Sequence, residues 1–303
     1  MARTDLSKSL LSRYDKLESQ RQNWETHWQE VADYMQPRKA DVTKTRARGD
    51  KRNELIFDSS PIQAVELLAA SLHGMLTNPS TPWFTLRFKD EDIDNEEEAK
   101  IWLESATDAM YTAFNRSNFQ QEIFELYHDL ITFGTAAMFI EEDQDDIIKF
   151  STRHINEVFI AENDKGRIDT IFRKFKISAR AALQKFGDNV SSDIQGIFRK
   201  DPYQEVEILH AVYPRADFDP KKKDKENMPF ESVYLEYKNG NELSISGFKE
   251  FPFVVPRYLK ASNEIYGRSP AMTALPDVKM LNEMSKTTIK AAQKQVDPPL
   301  LVP

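Results

Sequence analysis

A long helical stretch near the C-terminus constrains this chain more than any other feature. Ser269 is suited to cap the N-terminus of a helix, and Pro270 fits the first turn, where no backbone hydrogen-bond donor is lost. Strong helix formers then continue to Val296, and two prolines follow that end the helix. We predict one helix over this stretch, with Pro276 either kinking it or resetting its start.

The two faces of this predicted helix differ in chemistry. At about 100° per residue, one stripe is apolar or small and the opposite stripe is basic. The apolar stripe consists of Val278, Leu281, Met284, Ser285, Thr288, Ala292 and Val296. The basic stripe consists of Lys279, Lys286, Lys290 and Lys294 and also contains Glu283. This pattern suits a helix that packs beside copies of itself and presents its lysines to another molecule, although spacing alone is more typical of an ordinary surface helix. A surface helix with a solvated lysine face is the alternative.

The first 135 residues are predicted to be mainly helical. Apolar residues recur at helical spacing from Thr4 to Gln36, and Pro37 ends this first helix. Further elements are predicted as helices at 60–74, 97–115 and 119–133 and as a strand at Trp83–Phe88. The acid-rich segment Asp90–Glu98 lacks the ligand spacing and the glycine of a calcium loop, so we expect a solvated loop there.

Residues 136–264 are predicted to be rich in β-strands. Short runs of β-branched and aromatic residues alternate with polar turns, and Asn239-Gly240 marks a hairpin. A last strand is expected at Phe253–Tyr258. The predicted fold class is therefore α+β, with a helix-rich and mixed α/β region followed by a long terminal helix.

Composition argues against several classes of function. The 303 residues include 41 basic and 49 acidic ones, and the net charge of −8 argues against wholesale electrostatic capture of nucleic acid. The absence of cysteine excludes disulfides and thiolate chemistry. No apolar run reaches the length of a membrane span, and the polar start is unlike a secretory leader, so we expect no membrane association.

The sequence contains none of the common catalytic motifs. It has no GxxxxGK[ST] or GxGxxG loop, no HExxH pair and no GxSxG elbow. The five histidines lie far apart, and the acids of 141–146 are expected on a solvent-facing turn rather than around Mg²⁺. We therefore expect no catalytic residue, no cofactor and no metal site, and hence no enzyme.

Two segments resemble the T7-like head-to-tail connectors of podoviruses, the portal proteins of short-tailed phages. One is YGRSPAMTALPDVKMLNEM followed by KAAQKQVDPPLLV, from Tyr266 to Val302. The other is IFDSSPIQAVELLAASLHGMLTNPSTPWFTL, from Ile56 to Leu86. Their order and separation also fit, and the resemblance extends over essentially the whole chain.

The resemblance implies a portal-type subunit with the domain organisation of that family. Residues 1–264 would form a wing, helical in 1–135 and β-rich in 136–264, and residues 265–297 a stem helix. Residues 298–303 would begin a clip. Members of the family are longer, so we expect the later domains (the rest of the clip, a second stem helix, a tunnel loop and a crown) to be absent from this chain.

The resemblance also implies partners and site residues. The subunit would form a ring with copies of itself, a dodecamer in the family, around double-stranded DNA. It would bind the terminase large subunit and capsid, scaffolding and tail adaptor proteins, in a virion assembled in the bacterial cytoplasm. The candidate channel residues are Lys279, Lys286, Lys290 and Lys294, and the candidate stem-packing residues are Val278, Leu281, Met284, Thr288, Ala292 and Val296.

Two basic loops leave a second function open. The loop Arg38–Arg52 is a candidate for contact with DNA phosphates or an acidic partner, and so is Lys221–Lys225. The candidate contact residues in the first loop are Arg46, Arg48, Lys51 and Arg52. The alternative function is therefore a non-catalytic nucleic-acid-binding module that uses loops 38–52 and 221–225. Solvated loops without a partner would give the same sequence pattern.

Overall fold

The computed structural model describes residues 4–47, 49–94, 96–222 and 224–296. The helices are α1 (Asp5–Met35), α2 (Ser60–Leu76), α3 (Glu91–Asp94), α4 (Glu97–Arg116), α5 (Phe119–Phe133), α6 (Ala179–Phe186), α7 (Ser192–Lys200) and α8 (Pro270–Val296). The strands are β1 (Ala137–Asp143), β2 (Ile147–Arg153), β3 (Val158–Glu162), β4 (Ile168–Ser178), β5 (Glu205–Pro214), β6 (Phe230–Glu236), β7 (Glu242–Phe248) and β8 (Phe253–Val254). The α+β class with a long C-terminal helix is confirmed.

These elements form two compact units, each built from two stretches of the chain. The first unit contains the chain up to Glu25 together with Arg153–Phe253. The second contains Thr26–Thr152 and the chain from Val254 onward. Each unit therefore combines distant segments, whereas the wing, stem and clip boundaries expected from the sequence are contiguous ranges and stay predictions. The clip-like segment 298–303 lies outside the described residues.

The first unit is a five-stranded antiparallel sheet with helices packed on both faces. Its strand order is β3-β4-β5-β6-β7. Along β5 the side chains alternate between the faces: Leu209 and Ala211 join a core with Leu10 and Tyr14 of α1. Ile208 faces the other way and packs in the core formed with α6 and α7.

Local signals placed several elements of the first unit correctly. The Ser178 hydroxyl accepts a hydrogen bond from the N–H of Ala181 and so caps α6. The hairpin between β6 and β7 turns at Gly240, whose φ of 68° lies in the left-handed region that favours glycine. These signals depend on residues close in sequence, which is why they can be recognised without the fold.

The second unit packs α2, α5 and α8 together beside a three-stranded sheet in the order β2-β1-β8. Trp28 from the last turns of α1 is completely buried in this unit. Its indole N–H donates to the carbonyl of Phe133 at 3.0 Å, and its ring meets Tyr266 edge-on at 5.1 Å. The tryptophan thus joins the end of α5 to the segment that precedes α8.

The strand predicted at Phe253–Tyr258 is shorter in the structure and ends at Val254. Pro256 has no N–H to donate to a neighbouring strand, so it interrupts the ladder. Its carbonyl still accepts a hydrogen bond from Ala136, and Arg257 forms an isolated bridge with Thr135. Strand composition alone did not reveal this break.

The strand predicted at Trp83–Phe88 is wrong. The segment forms no strand and pairs with no strand of the described residues. The phenolic oxygen of Tyr111 on α4 accepts hydrogen bonds from the N–H groups of Trp83 at 2.6 Å and Phe84 at 2.7 Å. The same hydroxyl donates to the Phe84 carbonyl at 2.9 Å. A side chain from a helix therefore takes the place of a neighbouring strand.

Replacement of Tyr111 by phenylalanine tests whether the Tyr111 hydroxyl takes the place of a neighbouring strand. The change leaves the two backbone donors without their acceptor, so we expect the free energy of unfolding to fall by about 1–3 kcal/mol. The matched control is Tyr203→Phe, because Tyr203 is 72% exposed and its hydroxyl is accessible to water. Urea unfolding of both variants measures the difference, and equal effects would contradict the role assigned to Tyr111.

Candidate functional site

The terminal helix α8 begins at a buried cap. Ser269 is 1% exposed; its hydroxyl accepts from the N–H of Met272 at 3.0 Å and donates to the Thr132 carbonyl at 2.8 Å. The predicted N-cap is therefore confirmed, and it also fixes α8 to α5. The helix continues without interruption through Pro276, so this proline does not reset its start.

Two glycines bring the end of α5 and the segment before α8 into backbone contact. Gly134 ends α5 with φ of 75°, and a Cβ placed on it would collide with the carbonyl oxygen of Gly267. A Cβ on Gly267 would in turn collide with the carbonyl oxygen of Gly134. The hydroxyl of Thr135 accepts from the Gly267 N–H at 2.8 Å. The direction of α8 at its first turn thus depends on glycine, which has no side chain, at both Gly134 and Gly267.

Asn282 forms a second anchor, one turn before the helix becomes fully exposed. Its buried side-chain oxygen accepts from the N–H of Phe57 at 2.7 Å, and its amide nitrogen donates to the Leu55 carbonyl at 2.8 Å. Sequence reasoning missed this residue. An amide between the apolar positions Leu281 and Met284 was the available signal, but its partners lie more than 220 positions away in the sequence.

The predicted apolar stripe is mostly open to solvent. Val278 is half-buried near the root of the helix, whereas Leu281, Met284, Thr288, Ala292 and Val296 are exposed, and Val296 is 86% exposed. All residues from 287 to 296 are exposed. Met280 and Ile289 are also exposed and lie at the two margins of the stripe, so apolar or small side chains cover roughly half of the helix circumference.

The lysine stripe divides into a paired part and an exposed part. Lys279 donates a hydrogen bond to Glu30, which raises the pKa of the lysine above its ordinary value. Lys286 lies 3.0 Å from the Glu283 carboxylate and 5.7 Å from the centre of the Phe57 ring. Lys290 and Lys294 are on the exposed part of the helix. The last two therefore present their charge to the surroundings most openly.

The basic loop 38–52 pairs largely with acids of its own unit. The Arg46 guanidinium lies 3.5 Å from Asp33, and Arg52 lies 2.6 Å from Asp41. Lys51 is exposed, and Arg48 lies outside the described residues. In the loop 221–225, Lys221 and Lys222 are exposed, while residue 223 is also outside the described part. The contact roles of both loops stay predictions, but internal pairing lowers the net positive charge of the first.

The described residues contain neither a cluster of metal ligands nor a membrane-spanning helix. Within residues 4–47, 49–94, 96–222 and 224–296, no three His, Asp or Glu side chains come together as a metal ligand set. No helix in the same part of the chain is both long and apolar enough to cross a lipid bilayer. What the structure does offer is a long anchored helix with an open apolar face and an open basic face.

Comparison with known proteins decides the family. A family model described as bacteriophage head to tail connecting protein matches residues 7–303. The chain belongs to this family. Membership confirms the resemblance seen in the two sequence segments, and the family is a structural one whose portal proteins are components of the virion.

Two relatives named as portal proteins are similar to this chain across all of its length. The probable portal protein of Bordetella phage BPP-1 is 34% identical over 308 aligned positions, which cover 100% of this chain and 56% of the relative. The portal protein of Salmonella phage epsilon15 is 34% identical over 309 positions, which cover 100% of this chain and 55% of the relative. This chain thus spans about half the length of these curated relatives.

Proposed function

We propose that this chain is a structural subunit of a phage portal ring, the head-to-tail connector through which DNA is packaged and ejected. The observation that carries the proposal is α8, which is anchored at Ser269 and Asn282 and leaves an apolar half-circumference exposed beyond them. A helix in a ring has one neighbour on each side, so a broad apolar face suits it better than a narrow seam does. The subunit acts by shape and charge and catalyses no reaction.

The partners follow from this role. The subunit associates with copies of itself, a dodecamer in the complete ring, around double-stranded DNA. The ring docks the terminase large subunit during packaging and tail adaptor proteins afterwards, and it meets capsid and scaffolding proteins at one vertex. Assembly takes place in the cytoplasm of the bacterial host, before the ring becomes part of the virion.

Within the ring, the lysine stripe faces the DNA channel. Lys290 and Lys294 from successive subunits would form stacked rings of positive charge that contact phosphates without reading sequence. Such contacts weaken as salt concentration rises, so they steady the DNA without binding it permanently. The net charge of −8 agrees with a channel that does not hold DNA tightly overall.

Charge reversal of Lys290 and Lys294 to glutamate tests the channel role in the phage itself. We expect rings to assemble normally while the amount of DNA packaged or retained per head falls several-fold, because phosphates meet repulsion at each subunit. The matched control reverses two exposed lysines outside α8, Lys165 and Lys249. Unaltered packaging in the Lys290/Lys294 variant would contradict the channel assignment.

The alternative, a nucleic-acid-binding module on loops 38–52 and 221–225, is not favoured. Arg46 and Arg52 already pair with carboxylates of their own unit, which leaves less charge for phosphates. A salt titration separates the two functions. Tight DNA binding with a steep salt dependence would support the module, whereas weak binding by an assembled ring supports the conduit.

A further inference from the structure

The surface formed by α3, α4 and the segment before them exposes an aromatic patch. Trp102 and Ile101 are each 61% exposed, and the Trp102 ring stacks on Phe88 with the ring centres 6.0 Å apart. Ile93 on α3 is exposed as well. Exposed tryptophan beside other apolar side chains is typical of binding surfaces, where tryptophan often contributes most of the affinity. We call Phe88, Ile101 and Trp102 the Trp102 patch.

The sequence around the Trp102 patch carries an excess of negative charge. Between Arg87 and Asp108 the sequence has nine acidic residues and three basic ones. Seven of these acids are exposed: Asp90, Asp92, Glu96, Glu97, Glu98, Glu104 and Asp108. An acidic rim around an apolar centre selects a partner with the opposite charge and an apolar side chain of its own.

The same unit carries a surface with the complementary chemistry. The segment from Arg38 to Phe57 has seven basic and three acidic residues. Its end exposes Leu55 and Phe57, at 48% and 41%. Lys44 and Arg46 pair with Asp33, and Arg52 pairs with Asp41, so the positive charge that this segment offers a partner is reduced and includes that of the exposed Lys51. This charge and the two exposed apolar side chains occur together in the segment, as the Trp102 patch requires of a partner.

We propose that the Trp102 patch of one copy binds the segment 44–57 of the next copy, an inference that rests on the ring function proposed above. A closed ring requires two different surfaces on each subunit that fit one another. Two acidic surfaces would repel each other, which disfavours a symmetric dimer through the Trp102 patch. The acidic surface and the basic segment attract, and the attraction fixes which surface meets which.

Disulfide cross-linking tests this contact directly, because the chain contains no cysteine of its own. Ser105→Cys places a thiol on the exposed side of α4, one turn from Trp102, and Thr45→Cys places one in the basic segment. We expect the two single variants, mixed and mildly oxidised, to give a covalent heterodimer. The control pairs Ser105→Cys with Lys200→Cys, an exposed position in the first unit. No Ser105–Thr45 product, or an equal yield in the control, would overturn the proposal.

Charge swaps sharpen the test. Glu97→Lys together with Glu98→Lys in the Ser105→Cys chain should reduce the cross-linking yield several-fold. Lys51→Glu in the Thr45→Cys chain should restore part of it, because Lys51 is exposed. A cross-linking yield that neither change alters would count against the pairing of these surfaces.

Electron microscopy of the same samples separates this inference from the ring function. Rings that form without the cross-link would refute the contact and leave the portal function standing. Absence of both rings and cross-links would refute both. A cross-link from Ser105→Cys to a different basic protein, and not to Thr45→Cys, would identify another occupant of the Trp102 patch and overturn the contact.

Discussion

Arg21→Met is expected to lower the free energy of unfolding of the first unit by roughly 3–5 kcal/mol, because it removes a buried charge from its partners. Arg21 is 2% exposed, and its guanidinium donates to the carbonyls of Ile155 at 2.8 Å, Asn156 at 2.8 Å and Val158 at 2.6 Å. It also donates two hydrogen bonds to Glu25, at 2.7 and 2.9 Å. Methionine fills similar space but offers no donor to these groups.

The geometry also explains why lysine should not replace this arginine well. The planar guanidinium reaches three carbonyls and one carboxylate at once, and its carbon lies 3.6 Å from the centre of the Phe159 ring. Arg21→Lys should therefore recover only part of the loss. The control is Arg199→Met at the exposed end of α7, for which we expect a change within about 0.5 kcal/mol. If chemical denaturation shows the same small loss of unfolding free energy for Arg21→Met and Arg199→Met, the hydrogen bonds of Arg21 contribute little to stability.

Gly134→Ala is the second large effect, and it acts on the anchor of α8. The residue has φ of 75°, which is unfavourable for alanine by roughly 1–2 kcal/mol. The added Cβ also meets the backbone of Gly267, which cannot rotate away as a side chain can, and such overpacking costs about 1–3 kcal/mol more. We expect a loss of stability in the second unit and a displaced start of α8, so ring assembly should fail as well.

A glycine without this constraint provides the matched control. Gly196 lies within α7, and a Cβ added there has no atom within 4 Å. Gly196→Ala should therefore stabilise the protein slightly, by about 0.5–1 kcal/mol, since alanine is the better helix former. The unfolding temperatures of the two variants should shift in opposite directions. An unchanged unfolding temperature for Gly134→Ala would show that the backbone contact between Gly134 and Gly267 can relax.

The elements that could be predicted from sequence are those whose signals are local. Ser269 and Pro270 mark the start of α8, and Gly134 marks the end of α5. Each acts on the backbone within a few residues, so the pattern can be recognised without knowledge of the fold. The two faces of α8 were predictable for the same reason, because helical spacing determines which side chains share a face.

The parts that could not be predicted depend on residues far apart in the chain. Asn282 is satisfied by backbone groups at positions 55 and 57, and Arg21 by carbonyls beyond position 150. Tyr111 takes the place of a strand partner for a segment that has strand composition. Lys279 belongs to the predicted basic stripe, but only the fold shows that Glu30 pairs with it. In each case the partner of the side chain is set by tertiary contacts, which the local sequence pattern does not determine.

Electron microscopy of the purified protein, with and without Met284→Glu and Ala292→Glu, tests most directly whether the open face of α8 joins subunits. Both side chains are exposed, so the double variant should fold normally, as circular dichroism would show. We expect closed rings for the unaltered protein and single subunits for the variant, because carboxylates would then be buried between neighbouring helices. Unaltered protein that stays monomeric at high concentration, or rings that persist in the variant, would contradict this expectation.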